Sequence, residues 1–373
     1  MKVLIAGDYC PCNRVAEAIN KKDYESVFGE VRQHTSQVDY SIVNLECPVV
    51  TGRTKPIEKY GPHLYCTSLG IEALKYAGFD CVTLANNHFR DYGDQGVKET
   101  LSVLEKEELD YVGGGNNLQE SSQVLYKDIR NERIAIINCC EHEFSIATDN
   151  HGGSNPLSSI QQYYVIKDAK KVVDYVLVIV HGGHEMWQFP SPRMVETYRF
   201  FIDAGADAVV NHHQHCFSGF ELYKEKPIFY GLGNFCFDNS SHFNDIWNFG
   251  YILKLSLEKR VSYELQPYIQ CSERPNVAMI SNREKFDDEL MKLNVIINSP
   301  KELAKVTEKY YKTEKRFIKM AFEPYSGRFL SKLYLMRILP SFLGKNRILH
   351  LQNLVECEAH RDILLQLLNQ KFK

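Results

Sequence analysis

Three histidines stand in four positions directly after an apolar run in the segment ADAVVNHHQH. His213 and His215 are separated by one residue, so both rings can reach one region if the chain after the run is a loop. Neutral imidazole is the commonest nitrogen ligand of zinc, iron and manganese. The segment alone indicates either a metal site or a group of buried histidines with ordinary hydrogen-bond partners.

Four other polar clusters also end apolar runs, in the segments IAGD, SIVNLECP, VTLANNHFRDYG and VLVIVHGGHE. Their side chains of chemical interest are Asp8, Glu46, Asn87, His88, Asp91 and His181. Carboxylates are hard oxygen ligands, and an unpaired buried carboxylate is expensive, which favours a cation as its partner. Taken singly, each cluster is also explained by a turn, a helix cap or a surface position.

Alternating strand-like and helix-like segments in the first 240 or so residues would position these clusters. Candidate strands are 2–6, 40–45, 81–85, 133–139, 176–180, 208–211 and 227–231. Candidate helices are 14–20, 68–77, 93–107, 158–174 and 192–204. Several of the strands are continuously apolar, as in a sheet that is covered on both faces. We therefore predict an α/β fold whose polar residues gather past the carboxyl ends of its strands, where open sheets bind ligands.

The charge is unevenly distributed, because a mildly acidic body precedes a basic tail. The net charge is -3, yet from Cys271 onward there are 19 Lys and Arg against 12 Asp and Glu. We predict two domains, 1–270 and a basic helical region at 285–373, with helices at 284–295, 300–322 and 325–368, the last broken near 340–344. The tail either rests on an anionic membrane or polymer, or packs an apolar stripe on the body.

Composition also bears on location and partners. The 11 cysteines have no regular spacing, which suits a reducing compartment. The segment KVLIAG leaves no room for a signal peptide, and no apolar run approaches the roughly 18–20 residues of a spanning helix. We expect a cytoplasmic protein, with peripheral contact at the inner membrane surface through the tail. An acidic body without a basic, aromatic groove argues against nucleic-acid binding.

The order of the clusters resembles the calcineurin-like metallophosphoesterase superfamily, and more narrowly the CapA-type proteins of capsule and poly-γ-glutamate synthesis. The supporting segments are AGD, NLECP, KYGPHLYC, EALKYAGFDCVTLANNHFRDYGDQGV, YVGGGNN, HGGHE, GADAVVNHHQH and KPIFYGLGNFCFD. They cover about residues 1–240, and LANNH and KPIFYGLGNF are the specific ones. The resemblance implies a metallophosphoesterase-like sandwich of two β-sheets flanked by helices, with one or two divalent ions (Mn, Fe or Zn) at the strand ends.

The resemblance also implies roles for particular residues. The metal ligands would be Asp8, Glu46, Asn87, His181, His213 and His215, with Glu46 bridging. His88 would be the catalytic histidine facing the scissile group, and Asp91 would orient it. Two cations about 3.5–4 Å apart lower the pKa of a bridging water and hold the attacking and leaving oxygens.

This chain departs from the family pattern at three positions. Cys10 stands where the superfamily has a histidine, and it is either a thiolate ligand or an ordinary buried cysteine. Gly182 replaces a usual tryptophan, and Asn211 replaces the glycine before the paired histidines. Neither of these two changes removes a ligand.

Two functions from different classes therefore remain. The first is a metal-dependent hydrolase that cleaves a phosphoester or amide bond of a polymer or phosphoester substrate, in capsule or poly-γ-glutamate synthesis or processing. The second is a non-catalytic accessory protein that keeps the fold and docks through its basic tail on a membrane-bound polymer-synthesis complex. The Asn87–His88 pair and the two spaced histidines favour the enzyme, whereas Cys10 favours the accessory protein.

Overall fold

The structure, a computed structural model, describes residues 1–325, 327–356, 359–361, 363, 364 and 368. The strands are β1 (Lys2–Cys10), β2 (Tyr40–Leu45), β3 (Cys81–Thr83), β4 (Asp110–Val112), β5 (Gly114–Gly115), β6 (Leu125–Ile129), β7 (Glu132–Cys140), β8 (Gly153–Ser154), β9 (Tyr175–His181), β10 (Ala208–His212), β11 (Phe220–Tyr223), β12 (Lys226–Phe229), β13 (Asn234–Phe237), β14 (Phe249–Ser256), β15 (Ser262–Gln270) and β16 (Val277–Met279).

The helices are α1 (Asn13–Asn20), α2 (Tyr24–Phe28), α3 (Arg32–Thr35), α4 (Ser68–Ala77), α5 (Gly93–Lys106), α6 (Leu118–Ser121), α7 (Ser159–Ala169), α8 (Pro192–Ala204), α9 (Glu284–Ile297), α10 (Pro300–Met320), α11 (Arg328–Leu335) and α12 (Lys345–Glu356), with a 3₁₀ turn at Ile246–Asn248. The chain divides into two compact units, Met1–Leu303 and Ala304–Lys373. A domain boundary near residues 270–285 stays a prediction.

Two large sheets form the first unit. One has eight strands in the order β16-β15-β14-β1-β2-β3-β4, with β13 also paired to β1. The other has the order β11-β12-β10-β9-β7-β6. The strands β1, β2 and β3 run parallel to one another, and so do β7, β9, β10 and β12. The carboxyl ends within each parallel set therefore lie at one edge.

Three apolar layers hold the sheets and helices together. The inner layer contains side chains of both sheets, such as Ile42 and Ile179, and lies between them. The two outer layers pack helices on the other faces, with Leu74 of α4 on the first sheet and Phe201 of α8 on the second. This arrangement confirms the predicted α/β fold of two sheets flanked by helices, and it explains the continuously apolar strands.

The predicted elements differ from the observed ones at their ends, and several strands and short helices were not predicted. The predicted strand 81–85 ends at Thr83, because the backbone amide of Ala85 donates to the side-chain oxygen of Asn138 (2.7 Å) rather than to a neighbouring strand. The predicted helix 158–174 ends at Ala169, and residues 170–172 form a turn before β9. The antiparallel strands β14 and β15 were not predicted.

In the second unit, the helix predicted at 325–368 with a break near 340–344 is two helices, α11 and α12, and several of its last residues lie outside the described part of the chain. Within the residues described, no helix combines the length and the apolar character needed to cross a membrane.

Candidate metal centre

The parallel strands deliver the predicted ligands to one place. Asp8 lies within β1, His181 ends β9, and the other ligands follow the last residues of β2, β3 and β10. All of these side chains are at most 7% exposed: Asp8, Glu46, Asn87, His181, His213 and His215. The structure thus brings all six together, as expected for residues at the carboxyl edge of parallel strands. Their role as ligands stays a prediction.

The nitrogen and oxygen atoms of these side chains converge. His181 Nε2 lies 3.0 Å from both His213 Nδ1 and Asn87 Oδ1. Glu46 Oε1 lies 3.5 Å from His181 Nε2 and 3.7 Å from His215 Nε2. Glu46, His181 and His213 form one set whose ligand atoms all lie within 4.8 Å of one another. Asp8, Glu46 and His215 form another such set. Glu46 belongs to both sets, which is the position of a carboxylate shared by two ions.

Glu46 tests whether these residues fit a cation. Its side chain is fully buried, and among the described residues neither carboxylate oxygen has a hydrogen-bond partner. Burial, and then the nearby Asp8 carboxylate, raise the pKa of Glu46 well above its ordinary value. A buried acid without a partner is costly unless a cation or proton neutralises it. The residues therefore fit one or two divalent cations, with a carboxylate between them.

The imidazoles have the protonation state that metals require. Burial lowers the pKa of His181 well below its ordinary value, and the neighbouring His213 ring lowers it further. Burial also lowers the pKa of His213 to about 3, with His215 adding to the effect. Both rings are thus neutral near pH 7 and present a lone pair, the form of histidine that binds zinc, iron or manganese.

The loop after β10 holds the paired histidines in an unusual backbone conformation. His213 and His215 have positive φ angles of 92° and 54°, which non-glycine residues adopt rarely and which are concentrated at functional sites. The amide of His213 donates to Asp8 Oδ2 (3.1 Å). Asn211 stabilises the loop by donating to the carbonyls of Gly182 (2.8 Å) and Tyr230 (3.0 Å). A glycine at position 211 could not make these contacts.

A second group of side chains contains His88 and Asp91. His88 Nδ1 lies 2.8 Å from Asp91 Oδ2, which also accepts from the amide of Leu64 (2.7 Å). Lys59 Nζ forms an ion pair with Asp91 Oδ1 and lies 3.2 Å from His88 Nδ1. The side chains of Lys59 and Asp91 are 3% and 0% exposed. The predicted His88–Asp91 pair is present, and sequence reasoning missed its buried ammonium partner.

Two further side chains at the site were missed or left unassigned. The side-chain oxygen of Asn234, Oδ1, lies 2.8 Å from His215 Nδ1 and accepts a hydrogen bond from it. Because an amide oxygen only accepts, His215 carries its proton on Nδ1 and leaves Nε2 as the lone-pair nitrogen. Asn44 Nδ2 donates to Asp8 Oδ1 (2.7 Å) and so orients that carboxylate. The segments GLGNF and IVNL contain these asparagines, but no spacing signals their contacts.

Two glutamates lie beside the histidines. Glu143 Oε2 accepts from Asn87 Nδ2 (3.4 Å), and Glu143 Oε1 lies 3.9 Å from His213 Nε2. Burial raises the pKa of Glu143. Glu185 is exposed and forms a third set of converging ligand atoms with His213 and His215. These acids add negative charge that divalent cations would balance.

Cys10 lies beside the site but not among its converging atoms. Its thiol is fully buried, in the same apolar layer as Cys47. Within the described residues it belongs to none of the three sets of converging ligand atoms. The geometry therefore favours the interpretation of Cys10 as a buried cysteine of the outer apolar layer.

Residues 2–239 match the model of the family "Bacterial capsule synthesis protein PGA_cap". The chain belongs to this family. It is 35% identical over 246 residues to the capsule biosynthesis protein CapA of Bacillus anthracis, covering 64% of this chain and 60% of that protein. It is 33% identical over 235 residues to the PGA biosynthesis protein CapA of Bacillus subtilis (strain 168), covering 62% of each. The chain thus spans less than two thirds of these PGA_cap relatives.

Among solved structures, a novel phosphatase from Mycoplasma pneumoniae is similar, with a TM-score of 0.44 and 16% identity over 76% of this chain and 96% of that one. All six predicted ligands, and also His88, Asp91, Lys59 and Asn234, fall inside the residues matched by the PGA_cap family. The second unit lies outside the match.

Proposed function

We propose that this protein is a metal-dependent hydrolase that acts in the synthesis or processing of a capsule-type polymer such as poly-γ-glutamate. The observation that carries the proposal is the Glu46 carboxylate, buried without a hydrogen-bond partner in the described chain and shared by two sets of converging ligand atoms. A purely structural carboxylate would be paired with a donor from the protein. The polymer comes from the names of the relatives in capsule and PGA biosynthesis.

The chain's own residues would hold the cations and fix their ligands. Glu46 would be shared, with Asp8 and His215 on one side and His181 and His213 on the other. Divalent cations bound there would supply Lewis acidity and lower the pKa of a water molecule. Asn234 keeps the proton of His215 on Nδ1, which leaves Nε2 directed toward Glu46.

His88, positioned by Asp91 and Lys59, would transfer a proton beside the cations. Asp91 accepts from His88 Nδ1 and fixes the ring, so that Nε2 is the atom available to a substrate. Lys59 forms an ion pair with the buried Asp91 carboxylate and so fixes its position. His88 would then donate to the leaving group or stabilise negative charge on the substrate, and Lys59 and Asp91 would be positioning residues.

The test combines metal analysis with turnover. We expect purified protein to hold near two equivalents of Mn, Fe or Zn and to hydrolyse a generic phosphodiester or a γ-glutamyl polymer. His213→Ala should lose at least one equivalent and lose turnover. His34→Ala is the matched control, because His34 belongs to α3, which precedes the amino end of β2 rather than its carboxyl end. Absence of bound metal, together with full biological activity of His213→Ala, would refute the proposal.

A second function is favoured by one observation. Among the described residues, the segment from Asp8 to Cys10 supplies one converging ligand atom, from Asp8, rather than two. A non-catalytic accessory protein that keeps a metal for stability fits this deficit. Bound metal without turnover on either substrate class, combined with loss of polymer synthesis in cells when the protein is deleted, would select this function over the hydrolase.

A further inference from the structure

A group of large apolar side chains is exposed in the second unit around α11. Their exposed fractions are 73% for Phe329, 60% for Met336, 60% for Ile338 and 58% for Phe342. We name these four residues the α11 apolar surface. Single exposed apolar residues are ordinary, but several within fourteen residues of sequence indicate a surface that binds something.

The local structure holds this surface outward. Glu323 accepts from the Phe342 amide (2.9 Å) and from the Ser341 hydroxyl, and Tyr325 donates to the Pro340 carbonyl (2.6 Å). These bonds tie the residues before α11 to those after it. Tyr334 is only 1% exposed, and its ring lies 5.5 Å from that of Tyr325. The helix therefore already has a buried side within its own unit.

The arrangement on α11 separates the buried and exposed sides. At about 100° per residue, Phe329 and Met336 lie within about 20° of each other, and Tyr334 lies about 140° from Phe329. Arg328 and Lys332 are exposed and lie at about 60–100° from Phe329, on one flank of the apolar side. Apolar side chains with basic neighbours on a helix are typical of helices that lie in a membrane interface.

The charge of the segment is one-sided. Residues 324–355 contain five basic residues (Arg328, Lys332, Arg337, Lys345 and Arg347) and no acidic residue. In α10, by contrast, the lysines alternate with Glu302, Glu308 and Glu314. The basic excess is thus confined to the segment that also exposes the apolar side chains, and it is complementary to an anionic surface.

We infer that the second unit docks on an anionic lipid bilayer, with the α11 apolar surface inserted among the lipids and the five basic residues at the headgroups. A polyanionic polymer would account for the basic residues but would give Phe329 and Met336 no apolar environment. The inference does not depend on hydrolase activity, and the segment lies outside the residues matched by the family.

The test is co-sedimentation of the full chain with vesicles of phosphatidylcholine alone or mixed with phosphatidylglycerol. We expect binding to the mixed vesicles that weakens as salt is added, because salt screens surface charge. Each basic residue near the surface contributes about fivefold, so Arg328→Gln with Lys332→Gln should weaken binding about 30-fold. Phe329→Ser with Met336→Ser should weaken it by about tenfold or more, because that apolar area is no longer buried.

The matched control is Lys309→Gln with Lys315→Gln, which removes the same charge from exposed positions of α10. Its binding should stay within about fivefold of the unchanged protein, which is the contribution of one basic residue. Equal binding to both kinds of vesicle, no binding to either, or an equal loss in the control would overturn the inference. Binding to native membranes but not to the mixed vesicles would also overturn it and would indicate a protein partner instead.

Discussion

Replacing Glu46 by glutamine should stabilise the metal-free protein and reduce the further stabilisation that a bound metal provides. The substitution keeps the size of the side chain and removes one negative charge. Glu46 is fully buried, and among the described residues its carboxylate has no hydrogen-bond partner. Burial, and then the Asp8 carboxylate, raise its pKa. A buried group of this kind destabilises the fold by about 1–3 kcal/mol. In the metal-free protein, Glu46→Gln should therefore raise the free energy of unfolding by about this amount.

The pH dependence of this gain has a definite sign. The folded-state pKa of Glu46 is raised above its ordinary value of 4.5. Below that value the carboxyl is protonated in both the folded and the unfolded state, so its ionisation does not change the free energy of unfolding. As the pH rises, the unfolded chain ionises first, so the wild-type protein loses up to about 1.4 kcal/mol per pH unit until the folded carboxyl also ionises. The advantage of Glu46→Gln should thus grow with pH and vanish near pH 4.

Metal should stabilise the wild-type protein more than the Glu46→Gln variant. A metal at 100 times its dissociation constant stabilises a protein by about 2.7 kcal/mol. Loss of a residue that is only hydrogen-bonded to a metal ligand weakens metal affinity by about 10–100-fold. Loss of Glu46, a ligand shared by two ions, should therefore weaken metal affinity by at least about 100-fold. At the same metal concentration the variant would then gain only about 0.4 kcal/mol.

The assay is urea unfolding in EDTA and in Mn²⁺, followed by tryptophan fluorescence. Both tryptophans belong to the first unit, and the Trp247 ring lies 4.7 Å from that of His215. Glu258→Gln, an exposed position, is the control and should change neither curve. The reasoning fails if metal-free Glu46→Gln is less stable than the unchanged protein, or if Mn²⁺ stabilises both equally.

Three further predictions concern positions around the site. Asn234→Ala should weaken Mn²⁺ binding by about 10–100-fold, because His215 loses the acceptor that fixes its proton; unchanged affinity in calorimetric titration would contradict this. Lys59→Met should lower the free energy of unfolding by about 3–5 kcal/mol, because Asp91 stays buried without its cation. Lys59→Met should also lower turnover without loss of metal. Lys59→Arg should partly restore both the free energy of unfolding and turnover. Equal stability of the wild type and the two variants would be evidence against the ion pair. Gly7→Ala should lower the free energy of unfolding by about 1–3 kcal/mol, because its Cβ would lie 1.8 Å from the Gly233 carbonyl oxygen. Gly52→Ala is the control, because a Cβ there meets nothing within 4 Å. An equal loss of stability in the two variants would contradict the prediction.

The apolar strands and the polar residues that follow them were readable from the chain. Asp8, Glu46 and His181 each end an apolar run, and parallel strands place their carboxyl ends at one edge, so local pattern and strand direction together predict a common site. The antiparallel pair β14 and β15 escaped prediction because its pattern is weak. Apolar and polar residues mix in YILKLS and SYELQP, and Pro267 interrupts the second strand.

The amino-acid sequence by itself determined the strands that end at the site, the gathering of six polar side chains there and the His88–Asp91 pair, because these depend on residues that are local to each strand end. Only the tertiary structure decided that Lys59 reaches Asp91, 32 residues away, and that Asn234 meets His215 across the parallel pairing of β13 with β1. It alone also showed that Glu46 has no donor among the described residues. Such contacts depend on how loops and strands distant in the chain pack against each other, and no spacing along the sequence encodes that packing.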